Sequence, residues 1–320
     1  MDVVFTWVKP GPRIKKKELG IDEHPARDPV TTASDYCCEL YFAILSCFLF
    51  LPIHKIFIVT ERPQVPDFIY DFRDFVSVVH HDEFIPITRL PLYNGRAIEA
   101  HLAYIDSLSE KFIYFNDDMM LGSAVDPSFY FNPKPIIRTT KRWKHNNINF
   151  KKNKKTIKPT LQTTETRSSA YLISNKYVNS LLNEAYEYAD RGILLHHGTP
   201  LTKTILKRAE YYFPDEWLEV SCSKIRSYKT ISPIPLASLI GIYEGLADNG
   251  EACDIAWHSA DIVTKKTLFD IYTKRPRFIC INDIGDHLGK EKISMCFNFF
   301  KNYFITCIDE EEEKYKMIIQ

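Results

Sequence analysis

The sequence has no excess of charge of either sign: 41 Lys and Arg stand against 41 Asp and Glu. A chain so balanced has no global pull toward nucleic acid or an anionic membrane surface. It also lacks any C-x-x-C pair. Its eight cysteines, at 37, 38, 47, 222, 253, 280, 296 and 307, follow no regular spacing, and Cys47 and Cys280 lie in apolar runs. That excludes a zinc ribbon or a disulfide frame and reads as reduced core thiols in a reducing compartment. A long apolar run is missing too. The most apolar stretch, YFAILSCFLFLPI at 41–53, falls short of the roughly 20 residues that a spanning helix needs. It reads as a core helix that stops at Pro52. A strand-like segment begins at Asp2, where a leader would have its charged and apolar regions. The expectation is a cytoplasmic protein with no spanning segment, with peripheral association at a membrane left open.

What is present is ordinary for a globular protein: 320 residues, 45% hydrophobic and 26% charged. That length can bury one large core, so a single large domain over 1–320, or one with insertions, is expected. The β-branched, aromatic run MDVVFTWV (1–8) predicts a strand. A helix is predicted over 31–52, a strand over 54–61, helical or irregular chain over 65–75 and a strand over 76–84. Another helix is expected over 97–109, then a strand at 112–116. Such alternation predicts an α/β fold, a mostly parallel Rossmann-like sheet flanked by helices. Beyond 132 the pattern loosens. Residues 132–168 read as a basic, mobile insertion, with eight Lys and Arg within 139–158. Helices are predicted over 168–189 and after a His-His-Gly turn at 196–198. A strand-like piece, a basic turn and a further helix are expected over 219–247, and 309–320 reads as a frayed acidic tail.

The stretch FIYFNDDMMLG (112–122) carries the clearest chemistry. An apolar strand ends on Asn116, Asp117 and Asp118, and adjacent carboxylates repel unless a cation or donor offsets them. RFICINDIGDH (277–287) repeats the pattern, with Asn282 and Asp283 at the strand end and Asp286 and His287 beyond. Ligands of open α/β sheets gather at the carboxyl ends of strands. A metal or phosphate site and a plain Asn-Asp turn both fit the spacing.

Four ordered blocks carry a resemblance. They are DVVFTWV (2–8); ELYFAILS (39–46), IFIVTE (56–61), LPLYNGRAIEAHL (90–102) and FIYFNDDMMLG together; HHGTPLTKTIL (196–206) with KIRS (224–227); and FICINDIGDH (278–287). The chain resembles the Stealth family of sugar-phosphotransferases. It departs from the family pattern at Lys9, where Asp or Asn is usual, and at 43–46, which lack an Arg. The resemblance implies a nucleotide-sugar transferase fold with a helical insertion region. It implies transfer of a sugar 1-phosphate from a UDP-sugar to a hydroxyl of an acceptor glycan, with release of UMP, as in capsule polysaccharide biosynthesis.

Such chemistry asks for charge neutralisation on the diphosphate, a base for the hydroxyl, and positioning. Hard oxygen ligands suit Mg²⁺ (or Mn²⁺). Asp118 and Asp283 are the first choices, with Asp117 and Asp286 in reserve. His197 is the candidate general base, since an unperturbed imidazole titrates near working pH; a structural His bonded to backbone is the alternative. Arg226 would grip a phosphate through its fork, or is a surface Arg in a basic turn. Asp2, one residue into a buried strand, needs a partner that a uridine or ribose contact would supply. Asn94, Glu99, His101, Asn116, Asn282 and His287 complete the expected substrate contacts, with one of Glu99 and His101 facing the sugar. Two other readings compete. One is a metal-dependent glycosyltransferase that releases UDP. The other is an inactive glycan- or nucleic-acid-binding relative, which would have no need of repelling acids at strand ends.

Overall fold

A computed structural model describes residues 1–8, 39–72, 74–140, 167–227, 230–282 and 288–319. The strands, in chain order, are β1 (Asp2–Thr6), β2 (Lys55–Thr60), β3 (Val76–His80), β4 (Lys111–Asn116), β5 (Met119–Leu121), β6 (Phe131–Asn132), β7 (Lys134–Arg138), β8 (Thr199–Thr202), β9 (Asp248–Gly250), β10 (Ile255–Ser259) and β11 (Phe278–Asn282). The central sheet has the order β3-β2-β1-β4-β8. Its first four strands are parallel and β8 runs antiparallel along β4. Val3, Val4, Phe5, Ile56–Val59 and Phe112–Phe115 are buried on both faces, which explains near-continuous apolar runs in place of alternation. The fold class is α/β.

From β1 the chain builds β2 and β3 on one side, then crosses to place β4 on the other. This reversal makes the β1/β4 boundary the topological switch point, where the crevice of an open α/β sheet forms. After β4 a two-residue turn, Asp117–Asp118, sends the chain into β5, which joins a second sheet of order β10-β11-β5. A third small sheet is β6-β7-β9. Two apolar cores result. One lies between the central sheet and the helices at 167–185, 203–212, 214–221 and 233–243; the other joins the Ile113/Phe115 face to β5, β11 and the helices at 39–50, 265–274 and 290–319.

Several elements differ from the sequence-based expectation. The 97–109 segment is helical only over Gly95–Glu99, followed by a single 3-10 turn at Leu102–Tyr104. The Trp217 indole N–H takes the Ala100 carbonyl at 3.2 Å, drawing the backbone out of the helix. Residues 219–221, read as strand-like, close a helix at Pro214–Ser221 that starts on a proline with Asp215 and Glu216 in its first turn, a favourable charge placement. The acidic 309–319 segment continues a helix running Lys290–Ile319. The basic stretch at 141–166 lies outside the described residues. None of the six described cysteines is in a disulfide, and no helix among the described residues is long and apolar enough to cross a membrane.

Candidate active site at the carboxyl edge

The polar residues at the switch point are held by one another. The register pairs Thr6 with Asn116 at the ends of β1 and β4. Beside them the Tyr114 hydroxyl lies 2.9 Å from Thr6 Oγ1, 3.1 Å from Glu99 Oε1 and 3.0 Å from Asn116 Oδ1. Burial raises the pKa of the Glu99 carboxyl, opposed by the positive charge of Arg226 and Arg96 and by the Tyr114 hydrogen bond. Burial, and then the Glu99 charge, push the Tyr114 phenol well above its usual value, so Tyr114 stays a donor.

Arg226 reaches this cluster because its loop is clasped to the chain before Glu99. The Tyr93 N–H donates to Lys224 O at 2.9 Å, Asn94 Nδ2 to Ser223 O at 3.1 Å, and Arg96 Nη1 to Ser227 O at 3.0 Å. Gly95 leaves room for the guanidinium: a Cβ there would stand 3.2 Å from Arg226 Nη2. The Asn94 side chain also caps the helix by accepting from Arg96 N–H at 3.2 Å. Fully buried and spent on backbone, Asn94 positions the loop instead of meeting substrate. The same correction applies to His101. Its Nδ1–H donates to Ala97 O at 2.7 Å and its Nε2 accepts from Arg89 Nη1 at 2.9 Å, so both ring nitrogens serve the fold.

Asp2 is not at this edge. It begins β1, paired with Phe112 at the opposite end of the sheet, and four residues of strand, roughly 13 Å, separate it from Thr6. Its carboxylate accepts from Ser109 N–H and pairs with His54 Nδ1, each at 2.9 Å. Burial alone would raise its pKa, but these bonds hold it below the usual value. The partner that a buried Asp2 requires is the fold's own.

The second sheet continues from the Asp117–Asp118 turn. β5 runs antiparallel to β11, with Met119 opposite Cys280 and Leu121 opposite Phe278. The ladder ends at Met119 and Cys280, so the Asp117–Asp118 turn and Asn282 lie beyond the same end of it. Asn282 and the Asp117–Asp118 turn are thus on the same side of the sheet although some 160 residues separate them. Asn282 Oδ1 is closed off from solvent with no hydrogen-bond partner among the described residues, a cost unless something else supplies one. An orphaned carbonyl oxygen and the nearby Asp117–Asp118 carboxylates are hard-oxygen groups of the type that Mg²⁺ takes. Among the described residues no cluster of three or more His, Cys, Asp or Glu is arranged to hold a metal. Asp283, Asp286 and His287 lie outside the described residues.

His197 sits just before β8, whose register pairs Thr199 with Tyr114. Gly198 allows the close approach: a Cβ there would fall 2.3 Å from Phe115 Cζ. The ring is only 2% exposed, stacked on Phe278 at 4.9 Å and edge-on to Phe129 and Tyr130. Its Nδ1–H donates to Gly198 O at 2.5 Å, which leaves Nε2 as the acceptor lone pair, and among the described residues Nε2 has no hydrogen-bond partner. Burial lowers the pKa to about 4. The expectation of an imidazole titrating near neutral pH is therefore corrected: apolar packing keeps this one neutral and proton-accepting.

Thr6, Tyr114 and Arg96 were not among the expected site residues. Tyr114 reads as one more apolar residue of a buried strand. The signal that could have flagged it is parity: it stands two residues before Asn116 and so shares its face.

Taken together, the fold and the edge define an α/β protein whose polar residues gather at its switch point. Comparison with known proteins is specific. Residues 35–139 match the family model "Stealth protein CR2, conserved region 2". A capsular polysaccharide phosphotransferase of Neisseria meningitidis serogroup B is 27% identical over 95% of this chain and 82% of its own. An exopolysaccharide phosphotransferase of Streptomyces coelicolor is 28% identical over 73% of this chain, which spans only 24% of that relative. Over residues 35–139 the chain is similar to the Stealth family. Among solved structures, the galactosyltransferase LgtC with donor and acceptor sugar analogues aligns over 96% of both chains at 10% identity and a TM-score of 0.44; a likeness this remote assigns nothing to the chain.

Proposed function

We propose that the protein transfers a sugar 1-phosphate from a UDP-sugar to a hydroxyl of an acceptor glycan. The acceptor oxygen attacks the phosphorus next to the sugar, the P–O bond to UMP breaks, and a phosphodiester forms with the C1–O bond intact. The observation that supports this reading is the Tyr114 hydroxyl tied to Glu99 and Asn116 at the switch-point edge, with the positive charge of Arg226 and Arg96 acting on Glu99. The similarity to the Stealth family over residues 35–139 supports it.

In this scheme Arg226 and Arg96 bring positive charge to a diphosphate, Arg226 through its bidentate fork. Glu99 and Tyr114 orient one another and Asn116 against the reacting groups. Asp118 with Asn282, Asp117 beside them, and Asp283 and Asp286 in the adjoining segment would hold a divalent cation that neutralises charge on the phosphates. His197 Nε2 takes the acceptor's proton. Its low pKa in the free protein reflects burial, and a bound diphosphate would raise it toward the working range.

A metal-dependent glycosyl transfer would use similar carboxylates, break C1–O and release UDP. Incubation with a panel of UDP-sugars, Mg²⁺ and candidate glycans separates the two: UMP supports the proposal, and UDP refutes it.

A further inference from the structure

The face of the second sheet that carries Asn282 also carries an exposed tryptophan. β10 pairs in parallel with β11, Trp257 with Cys280 and Ser259 with Asn282. Partners in register share a face, and side chains two apart do too. Trp257, Cys280, Ser259 and Asn282 therefore lie on one face. The His196–His197 turn covers that face: His197 stacks on Phe278, and His196 meets the Trp257 ring edge-on at 5.4 Å and 89°. Yet Trp257 is 45% exposed, on a strand at the edge of its sheet. It stands two residues back from Ser259, about 7 Å along the strand, and one strand spacing, about 4.8 Å, across from β11. That is roughly one hexose from Asn282.

We propose that Trp257, braced by His196, is the platform on which a pyranose ring of the acceptor glycan stacks. This rests on the transfer reading above and names a subsite for it. Large aromatic rings with one open face give contact area at little entropic cost. The order of elements argues for the acceptor over the donor. The switch point between β1 and β4 suits the nucleotide; the acids of the β4–β5 turn come next, then Asn282 on β11, and Trp257 beyond them on β10. A glycan arriving over Trp257 meets the carboxylates from the side opposite the nucleotide and passes the His196–His197 turn on its way.

The test uses the full chain, a printed array of defined oligosaccharides as the glycan probe, and UDP with Mg²⁺ as the nucleotide probe. Wild type should bind a subset of the array. Trp257→Ala should lose that binding by about tenfold or more, as truncated aromatic hot spots do. Trp257→Phe should keep most of it, and calorimetric UDP affinity should be unchanged in both. Circular dichroism confirms that each variant folds; should the Ala variant not fold, Trp257→Ser is read in its place. Unaltered glycan binding by a folded Trp257→Ala, loss of UDP affinity along with glycan affinity, or a wild type that binds no array glycan would each overturn the subsite. Failure of the transfer reading looks different: glycan binding would still depend on Trp257 while UDP appears as product instead of UMP.

Discussion

The Tyr114 hydroxyl lies 3.1 Å from the Glu99 carboxylate, and through that contact the end of β4 is tied to the Gly95–Glu99 helix and the Arg226 loop. A buried network of this kind is stabilising only while every member is satisfied. Tyr114→Phe should therefore lower unfolding free energy by about 1–3 kcal/mol, the usual cost of orphaning buried partners, and lower turnover with it. Urea unfolding beside an activity assay checks both. A variant as stable and as active as wild type would remove Tyr114 from the account.

Asp118→Asn should reduce turnover to background while leaving the fold intact, because one of two adjacent carboxylates is neutralised. The measurement is activity against Mg²⁺ concentration, with circular dichroism as the control. Wild-type Mg²⁺ dependence in the variant would remove Asp118 from the metal site.

His197 and Arg226 should fail in different ways. His197→Ala is expected to lower the rate by about 10²–10⁴-fold with donor affinity nearly unchanged. Arg226→Ala should weaken donor binding by roughly 1.5–3 kcal/mol, the worth of a charge-assisted pair. Calorimetric titration of UDP-sugar against each variant decides. Equal losses of affinity would make His197 a phosphate ligand and move the base elsewhere.

Gly198→Ala should destabilise by about 1–3 kcal/mol or more through overpacking, since the added methyl meets Phe115 and Ile113 within 2.7 Å. A thermal melt within a degree of wild type would mean that the His-Gly turn can shift, and that His197 is not held as tightly as its packing suggests.

Acid should unfold the protein through its buried histidines. Burial holds both His197 and His81 at about 4, below the ordinary 6.5. The unfolded chain takes up these protons first, so the stability they contribute is present above pH 6.5 and is lost as pH falls from 6.5 toward 4. The slope is at most about 1.4 kcal/mol per pH unit for each group. Among the described residues neither ring nitrogen of His81 has a hydrogen-bond partner. His81→Phe should thus flatten the slope and leave neutral-pH stability unchanged or higher. Urea midpoints from pH 4 to 7 test this, and an unchanged slope would contradict it.

Much of this was readable from the residues. Strands β1 to β4 and β11 announce themselves as apolar runs, and the Asn-Asp pairs mark two strand ends. That the first turn and Asn282 lie beyond the same end of one ladder was not readable, because it depends on β5, a three-residue strand hidden in MML behind the turn, pairing with β11. Asp2 misled because a buried acid demands a partner, and nothing in the sequence says that His54 and Ser109 provide it. Asn94 and His101 misled in the same way: polar residues near a helix start serve as caps and struts as readily as ligands. The pKa of His197 depends on an aromatic enclosure drawn from residues 129, 130 and 278, contacts that spacing along the chain does not encode.

The central claim concerns which bond breaks, and the phosphorus next to the sugar reports it. A UDP-sugar labelled with ³²P at that phosphorus should be incubated with the protein, Mg²⁺ and a glycan that binds it. Sugar 1-phosphate transfer predicts label in the glycan as an acid-labile phosphodiester, with unlabelled UMP as the other product. Label left entirely in UDP, with an unlabelled sugar on the glycan, would contradict it.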